Sequence, residues 1–468
     1  MSKMIDFLAV SKYQKKIEIE GSLPDNERIV SRVYRMAWPS TLESGLISLI
    51  SAADTMMVGT LGPWAISAVG AATQPRFLML SAIFALNIAV TVIVSRRRGE
   101  NDREAANKVL RQSITISTII AVLLNSLGII FAEPLIKMIS GSEASYIQQS
   151  VDYFRIIAIG NMFYSLSITI TAAQRGAGNT KIAMKTNLIA NFINIIFNYL
   201  LINGIWIFPR LEVVGAALAT TIGNVVALVL AIQSVRHEED FLYLSFEGTW
   251  KVTKDILTQL WNLARSTALE QIFLRIGFIT FAMMITRLGE LEFATHMIVM
   301  NLMSISFSLG DGLSAASTSL VGQSLGARRK DLALINGKVT QRLGHIIAII
   351  MVAFVVIFRK VLIGLFTSDL EVIKMGEPIM IILAVVIVFQ ITQVITNGSL
   401  RGAGDVGFVA LESIVSITLM RPILTLTLAY FLNLGLTGAW LAIFTDQVFR
   451  YIASAWRYSS KKWLTIKL

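Results

Sequence analysis

The stretch Gln174-Arg-Gly-Ala-Gly-Asn-Thr180 returns near the other end of the chain as Leu400-Arg-Gly-Ala-Gly-Asp-Val406, 226 residues later. Other landmarks recur at an offset of 227: Ser40-Thr-Leu-Glu43 with Thr267-Ala-Leu-Glu270, Leu61-Gly62 with Leu288-Gly289, and Val94 and Gly99 with Val321 and Gly326. Self-similarity of such long period makes each half one copy of the same structural unit. Positions at which the copies differ are then where function is to be sought.

Composition defines the surroundings of that unit. Of 468 residues, 54% are hydrophobic and 15% charged, and the mean hydropathy is +0.66. A soluble domain carries roughly a quarter charged residues, so this chain lacks the polar surface to sit in water. Apolar runs near or above the roughly 20 residues that span hydrocarbon recur throughout. Only helices and closed barrels satisfy their backbone in lipid, and the runs exceed the alternating segments of about 10 residues that build a barrel. The reading is an all-α polytopic membrane protein. A net charge of +11 does not point to nucleic acid here, because the basic residues gather in alternate loops, as the positive-inside rule requires. With no cysteine, disulfides, thiolate metal sites and a cysteine nucleophile are excluded. The stretch Met1 to Arg35 is mixed in charge and shows no apolar core followed by a small-residue cleavage site, so no signal peptide is expected.

Apolar runs and their breakers predict spans near 37–60, 67–95, 105–132, 150–173, 181–203 and 213–235. A second six follow near 258–287, 293–321, 333–358, 374–400, 405–432 and 436–458. Arg96-Arg97-Arg98 with Arg103, Lys181 with Lys185, Arg328-Arg329-Lys330, and Arg457 with Lys461 and Lys462 fall on one side. Glu133, Glu143 and Asp152, then Glu290 and Glu292, fall on the other. Both termini are then cytoplasmic, with the cytoplasmic (plasma) membrane the expected location. The expected domains are a cytoplasmic segment at 1–35, a first lobe at 36–235, a linker at 236–257, a second lobe at 258–458 and a tail at 459–468. An even number of spans per lobe gives parallel repeats, with a binding site expected between or within the lobes.

An ionisable side chain at the centre of a span costs about 2.5–3.5 kcal/mol on insertion, so each is a functional candidate. Asp54 stands in Ser51-Ala-Ala-Asp-Thr-Met-Met-Val-Gly59, and its repeat equivalent is Phe281. The second copy does without the carboxylate, so packing of the unit does not require it; a static interhelical hydrogen bond is the alternative role. Asn187, Asn191, Asn194 and Asn198 are spaced four, three and four apart, which puts all of them on one helical face. Their amides can offer oxygens to a cation or donors to Asp54, or bridge helices. Asn cannot titrate, so any proton carried in this lobe falls to Asp54. Glu270 matches Glu43 in the other copy, as a structural role in both would leave it, and function and structure stay equally open there. Arg421 and Asp446 read as members of buried ion pairs. Arg275 and Asp311 decide nothing. The histidines at 237, 296 and 345 are scattered, and no phosphate-cradling Walker sequence is present, so ATP bound by this chain cannot supply the energy.

Taken together, the chain resembles the multidrug and toxic compound extrusion (MATE) transporters over essentially its full length. The resemblance is carried by Asp54-Thr-Met-Met-Val-Gly59 after the Pro39-containing span start, by the paired Arg-Gly-Ala-Gly turns, and by Val321-Gly-Gln-Ser-Leu-Gly-Ala327. Gly215-Ala-Ala-Leu-Ala-Thr220, echoed by Gly438-Ala-Trp-Leu-Ala442, belongs to it too. It implies twelve helices in two six-helix lobes around a V-shaped cavity, and efflux of cationic or amphipathic compounds against inward H+ or Na+. It also implies a first-lobe cation or proton site at Asp54, Asn194, Asn198 and Thr220, with Asn191 one turn away and Na+ a candidate at Asp54, Asn194 and Asn198. Asn198 replaces a frequent aspartate, which lowers the expected Na+ affinity. A second-lobe site falls on Glu270 and Gln390, again one carboxylate short. Each site thus keeps a single acid, which fits protons somewhat better than Na+.

The expected function is a secondary antiporter of organic compounds, acting as a monomer in the lipid bilayer without nucleic acid and without a cofactor beyond the coupling ion. A flippase or exporter of a lipid-linked precursor or specific metabolite is the alternative within transport; such relatives typically carry two extra spans and basic cavity residues. An intramembrane enzyme would need a convergent nucleophile and base or metal ligands, and no histidine or cysteine lies suitably in a span.

Overall fold

The computed structural model describes residues 19–140, 145–245 and 248–466. Residues 1–18 of the expected N-terminal segment, Glu143, two residues of the expected linker and the last two of the tail lie outside the described residues. The described chain is all-helical: α1 (Asn26–Gly59), α2 (Pro63–Glu100), α3 (Arg103–Ile130), the short α4 (Ala132–Ser140), α5 (Ile147–Ala177), α6 (Thr180–Asn203) and α7 (Glu212–Gln233). Then follow α8 (Lys254–Thr286), α9 (Glu290–Gly326), α10 (Lys330–Gly364), α11 (Leu370–Gly402), α12 (Val406–Phe431) and α13 (Gly435–Ser459). Among the described residues, ten of these helices have the length and composition to cross a membrane. Side chains such as Leu123, Ile130, Ile357, Val361 and Phe431 stand exposed on their surfaces, as hydrocarbon-facing residues do.

The structure divides into two compact units, Leu46–Ala268 (the N unit) and the residues up to Gly45 with Leu269–Leu468 (the C unit). Both boundaries fall inside helices, α1 and α8, whereas composition drew the division at the polar segment 236–257. Helix α1 also starts eleven residues before its expected span. Hydropathy sees only the apolar part of a helix. The preceding turns are polar on one side but bury Ile29, Val30, Val33 and Met36 in the core of the C unit, a helical spacing that fixes them.

The internal repeat is visible bond by bond. In each unit one helix is central: α5 packs on α2, α3 and α7, and α11 packs on α9, α10 and α13. Each central helix ends in the Arg-Gly-Ala-Gly turn. Gly178 N–H donates to Arg175 C=O at 3.0 Å and Asn179 N–H to Gln174 C=O at 2.8 Å. Gly404 N–H donates to Arg401 C=O at 2.8 Å and Asp405 N–H to Leu400 C=O at 2.9 Å. This is the Schellman cap, and its glycine takes the left-handed conformation, φ 98° at Gly178 and 92° at Gly404.

The motif's first glycine serves packing. A methyl group on Gly176 would lie 2.7 Å from the Thr91 carbonyl of α2, and one on Gly402 would strike the equivalent Thr318 carbonyl of α9. At this close approach Thr91 Oγ1 donates to Ala172 C=O at 3.1 Å and Thr318 Oγ1 to Gly398 C=O at 2.8 Å. The small residues let the backbones meet and the threonines bridge them, as in membrane helix packing generally.

The polar segment after α7 is held against α3. Arg103 donates to the backbone carbonyls of Glu238 and Asp240, Asn107 bonds Phe241 C=O at 3.1 Å and Tyr243 N–H at 2.7 Å, and Gln112 accepts from Thr253 N–H at 2.9 Å. The Arg98 guanidinium lies 4.2 Å above the Phe241 ring.

Candidate functional site

In the N unit, the last turns of α1, the second half of α6 and the first half of α7 bring together four polar side chains in an apolar setting. Asn198 Nδ2 donates to Asp54 Oδ1 at 2.9 Å. With the Asn194 amide turned so that its NH2 faces the carboxylate, it meets both Asp54 oxygens at 3.2 Å, and its oxygen accepts from Thr220 Oγ1 at 3.3 Å. That orientation matches donors to acceptors at both ends. Asn194 and Asn198 are buried and Asp54 and Thr220 half-buried. Asn198 Oδ1 is buried without a donor, which leaves one free amide oxygen beside a carboxylate.

The asparagine stripe therefore divides. Asn194 and Asn198 reach Asp54, whereas Asn191 donates to the Asn187 carbonyl of its own helix at 2.8 Å and is not drawn into the cluster. Arg76 of α2 lies within electrostatic reach of Asp54 and donates to Asn161 Oδ1 at 3.1 Å. The sequence reading passed over it, although its repeat equivalent, Met303, is uncharged.

In the C unit the expected residues separate into three places. Glu270 of α8 is clamped by Arg401 Nη2 at 2.9 and 3.2 Å and accepts from Ser413 Oγ at 3.0 Å. Gln390 of α11 accepts from Ser306 of α9 at 2.9 Å, so its polar partner is serine. Arg421 and Asp446 form the expected ion pair with each other, both essentially inaccessible, the Arg421 Nε donating to Asp446 Oδ2 at 2.8 Å. Phe281, which stands where the N unit has Asp54, packs 5.6 Å from that same guanidinium and edge-on to His296.

Two charged residues missed by the sequence reading complete this layer. Glu412 of α12 accepts from Gln393 at 3.1 Å and lies 3.7 Å from Arg450 Nε of α13. Just beyond them α12 is widened by π-helical turns at Ile414–Met420 and again at Leu426–Phe431, on either side of Pro422, a distortion that tends to mark functional positions.

Comparison with known proteins agrees with this architecture. The family profile described as MatE matches twice, over residues 39–200 and 267–427, one match per repeat. The probable multidrug resistance protein NorM of Thermotoga maritima is 28% identical, with 94% of this chain and 95% of that protein aligned. The multidrug resistance protein MdtK of Yersinia pestis is 26% identical over 84% and 83%. A solved outward-facing multidrug resistance MATE transporter of the MOP superfamily superposes with a TM-score of 0.86 at 20% identity, covering 93% of this chain and 97% of that one. These relatives are transporters rather than enzymes, and the chain, matched by the profile in both of its halves, belongs to the MATE family of multi-pass membrane transporters.

Proposed function

We propose that this protein is a secondary antiporter that exports organic, cationic or amphipathic compounds in exchange for H+ or Na+, with Asp54 as a coupling residue. The reading includes twelve spans in two parallel six-helix lobes, cytoplasmic termini in the cytoplasmic membrane, and a monomer as working unit. The observation that carries it is the Asp54 cluster: a half-buried carboxylate hydrogen-bonded by neutral amides, beside a buried amide oxygen without a donor. A carboxylate so placed trades a proton for a cation as access to water changes, because burial opposes its charge and a nearby cation favours it. One charge crossing 100 mV supplies about 2.3 kcal/mol, so one or two coupling ions sustain a useful gradient. The test is uptake into proteoliposomes under a pH gradient and, separately, a Na+ gradient, with Asp54→Asn as the control. Coupled transport should vanish in Asp54→Asn while the protein still purifies as a folded species. Wild-type rates in that variant sink the assignment.

A further inference from the structure

We propose that Glu412 is a second proton-binding residue of this transporter, set in a buried polar cluster of the C unit formed by α8, α11, α12 and α13. The cluster contains unused hydrogen-bonding capacity. Glu412 is 4% exposed, and its Oε2 has no donor. Gln393 spends its NH2 on Glu412 Oε1, which leaves Gln393 Oε1 buried without a donor. Asn397, one turn further along α11, is within hydrogen-bonding reach of Glu412, and its amide oxygen is buried without a donor. Buried polar atoms are ordinarily satisfied, so a group of acceptors without donors in one place has capacity to take up a proton. A proton on Glu412 Oε2 converts that acceptor into a donor, in a cluster whose Gln393 and Asn397 amide oxygens have no donor of their own.

The charges around Glu412 fit a proton better than a metal cation. Helix α8 contributes Glu270, α11 contributes Arg401 and α13 contributes Arg450; Arg275 lies further along α8, and Arg421 and Asp446 neutralise each other. Two carboxylates already face two guanidiniums, which would repel a metal ion seeking several oxygens. A proton needs only one. Arg401 and Ser413 hold Glu270 firmly in place, so of the two glutamates Glu412 is the one that keeps an oxygen without a donor.

The repeat argues against a merely structural cluster. At the offset of the Arg-Gly-Ala-Gly turns, Glu412, Gln393 and Asn397 correspond to Thr186, Ser167 and Thr171, and at the offset of the Gly215 and Gly438 motifs Arg450 corresponds to Ala227. The N unit packs without any of these groups.

The proposal adds a second proton to the antiport reading, but its test reads protonation directly and stands even if transport fails. The purified full-length protein is taken from alkaline to acid pH and its infrared difference spectrum recorded. Glu412→Gln should delete one carboxylic-acid C=O band, which Asp54→Asn and Glu270→Gln both retain. A spectrum that Glu412→Gln leaves unchanged overturns the proposal, as does loss of the same band in Glu270→Gln. Should Glu412→Gln not fold, Glu412→Asp decides: the band must shift, and a band that stays in place overturns the assignment.

Discussion

Asn198 of α6 donates to Asp54 of α1 at 2.9 Å across 144 residues of sequence. Helix α6 places Asn194 one turn away with its amide in reach of the same carboxylate. At the matching position in the C unit, Phe281 lies against the Arg421–Asp446 pair. One copy of the repeat thus holds its acid with neutral donors and the other locks its acid to a guanidinium. An acid held by amides gains or loses a charge at modest cost, whereas breaking a buried ion pair strands a charge. The difference between the copies is a difference in what each can exchange.

Replacing Asn198 with aspartate tests the cation side of this site. The change sets a second carboxylate against Asp54, and two like charges about 4 Å apart repel by roughly 4 kcal/mol at an effective dielectric constant of about 20. A bound cation relieves that repulsion. Na+ should therefore raise the melting temperature of Asn198→Asp well beyond its effect on the wild type. Its apparent affinity should rise at least about tenfold, or about 1.4 kcal/mol. Melting curves in NaCl against choline chloride read this directly, and equal Na+ dependence in both proteins argues against an oxygen-lined site.

The paired turns make a prediction about stability. Gly176→Ala and Gly402→Ala push a methyl group into the carbonyls of Thr91 and Thr318, where the obstacle is backbone and cannot swing aside. Each should cost about 1–3 kcal/mol, the usual range for overpacking, with Gly402→Ala the more severe. Gly178→Ala, which forces a side chain into the left-handed region at φ 98°, should cost about 1 kcal/mol. Thermal unfolding in detergent ranks the three. A Gly176→Ala variant as stable as the wild type would show that α2 and α5 can move apart.

These examples also show what a sequence can and cannot disclose. Asp54, Asn194 and Asn198 were legible because the asparagines share a helical face and Asp54 has no acidic counterpart in the repeat, whereas Thr220 came only from the family resemblance. Asn191 satisfied the same periodicity, but periodicity carries no information on whether an amide turns back to its own helix, as this one does. Glu412 and Arg450 went unseen because charges on different helices are paired only by packing. The signal that isolates Asp54 was present for Glu412 as well, since its counterpart is Thr186. The twelve apolar segments each lie in a helix, yet the early start of α1 and the π-helical turns of α12 depend on burial and packing, which hydropathy does not record.

Arg103 offers a test of the segment that follows α7. Its guanidinium gathers the carbonyls of Glu238 and Asp240, with Asn107 and Gln112 bonding further along. Hydrogen bonds from a charged donor contribute about 1.5–3 kcal/mol, so Arg103→Ala should loosen residues 238–245. Limited proteolysis should cut this segment about tenfold faster in the variant, with transport little changed. Equal cleavage rates would assign the hold to Asn107 and Gln112 instead.

The Arg421–Asp446 pair yields the sharpest energetic contrast. Both side chains are essentially inaccessible, Arg421 at 1% and Asp446 at 0%, and the guanidinium also lies over the faces of Phe278 and Phe281. Removing one partner leaves a buried charge uncompensated, at a cost of about 3–5 kcal/mol. Arg421→Met and Asp446→Leu should each lower the melting temperature sharply or abolish recovery of folded protein. The double replacement should restore most of the loss, because an apolar pair of similar volume needs no compensation and fits the aromatic surroundings. If the pair is only a structural lock, transport should return with stability in the double variant. If stability returns while transport does not, the pair takes part in the transport cycle. The two measurements, melting temperature and gradient-driven uptake, separate these outcomes in the same three proteins.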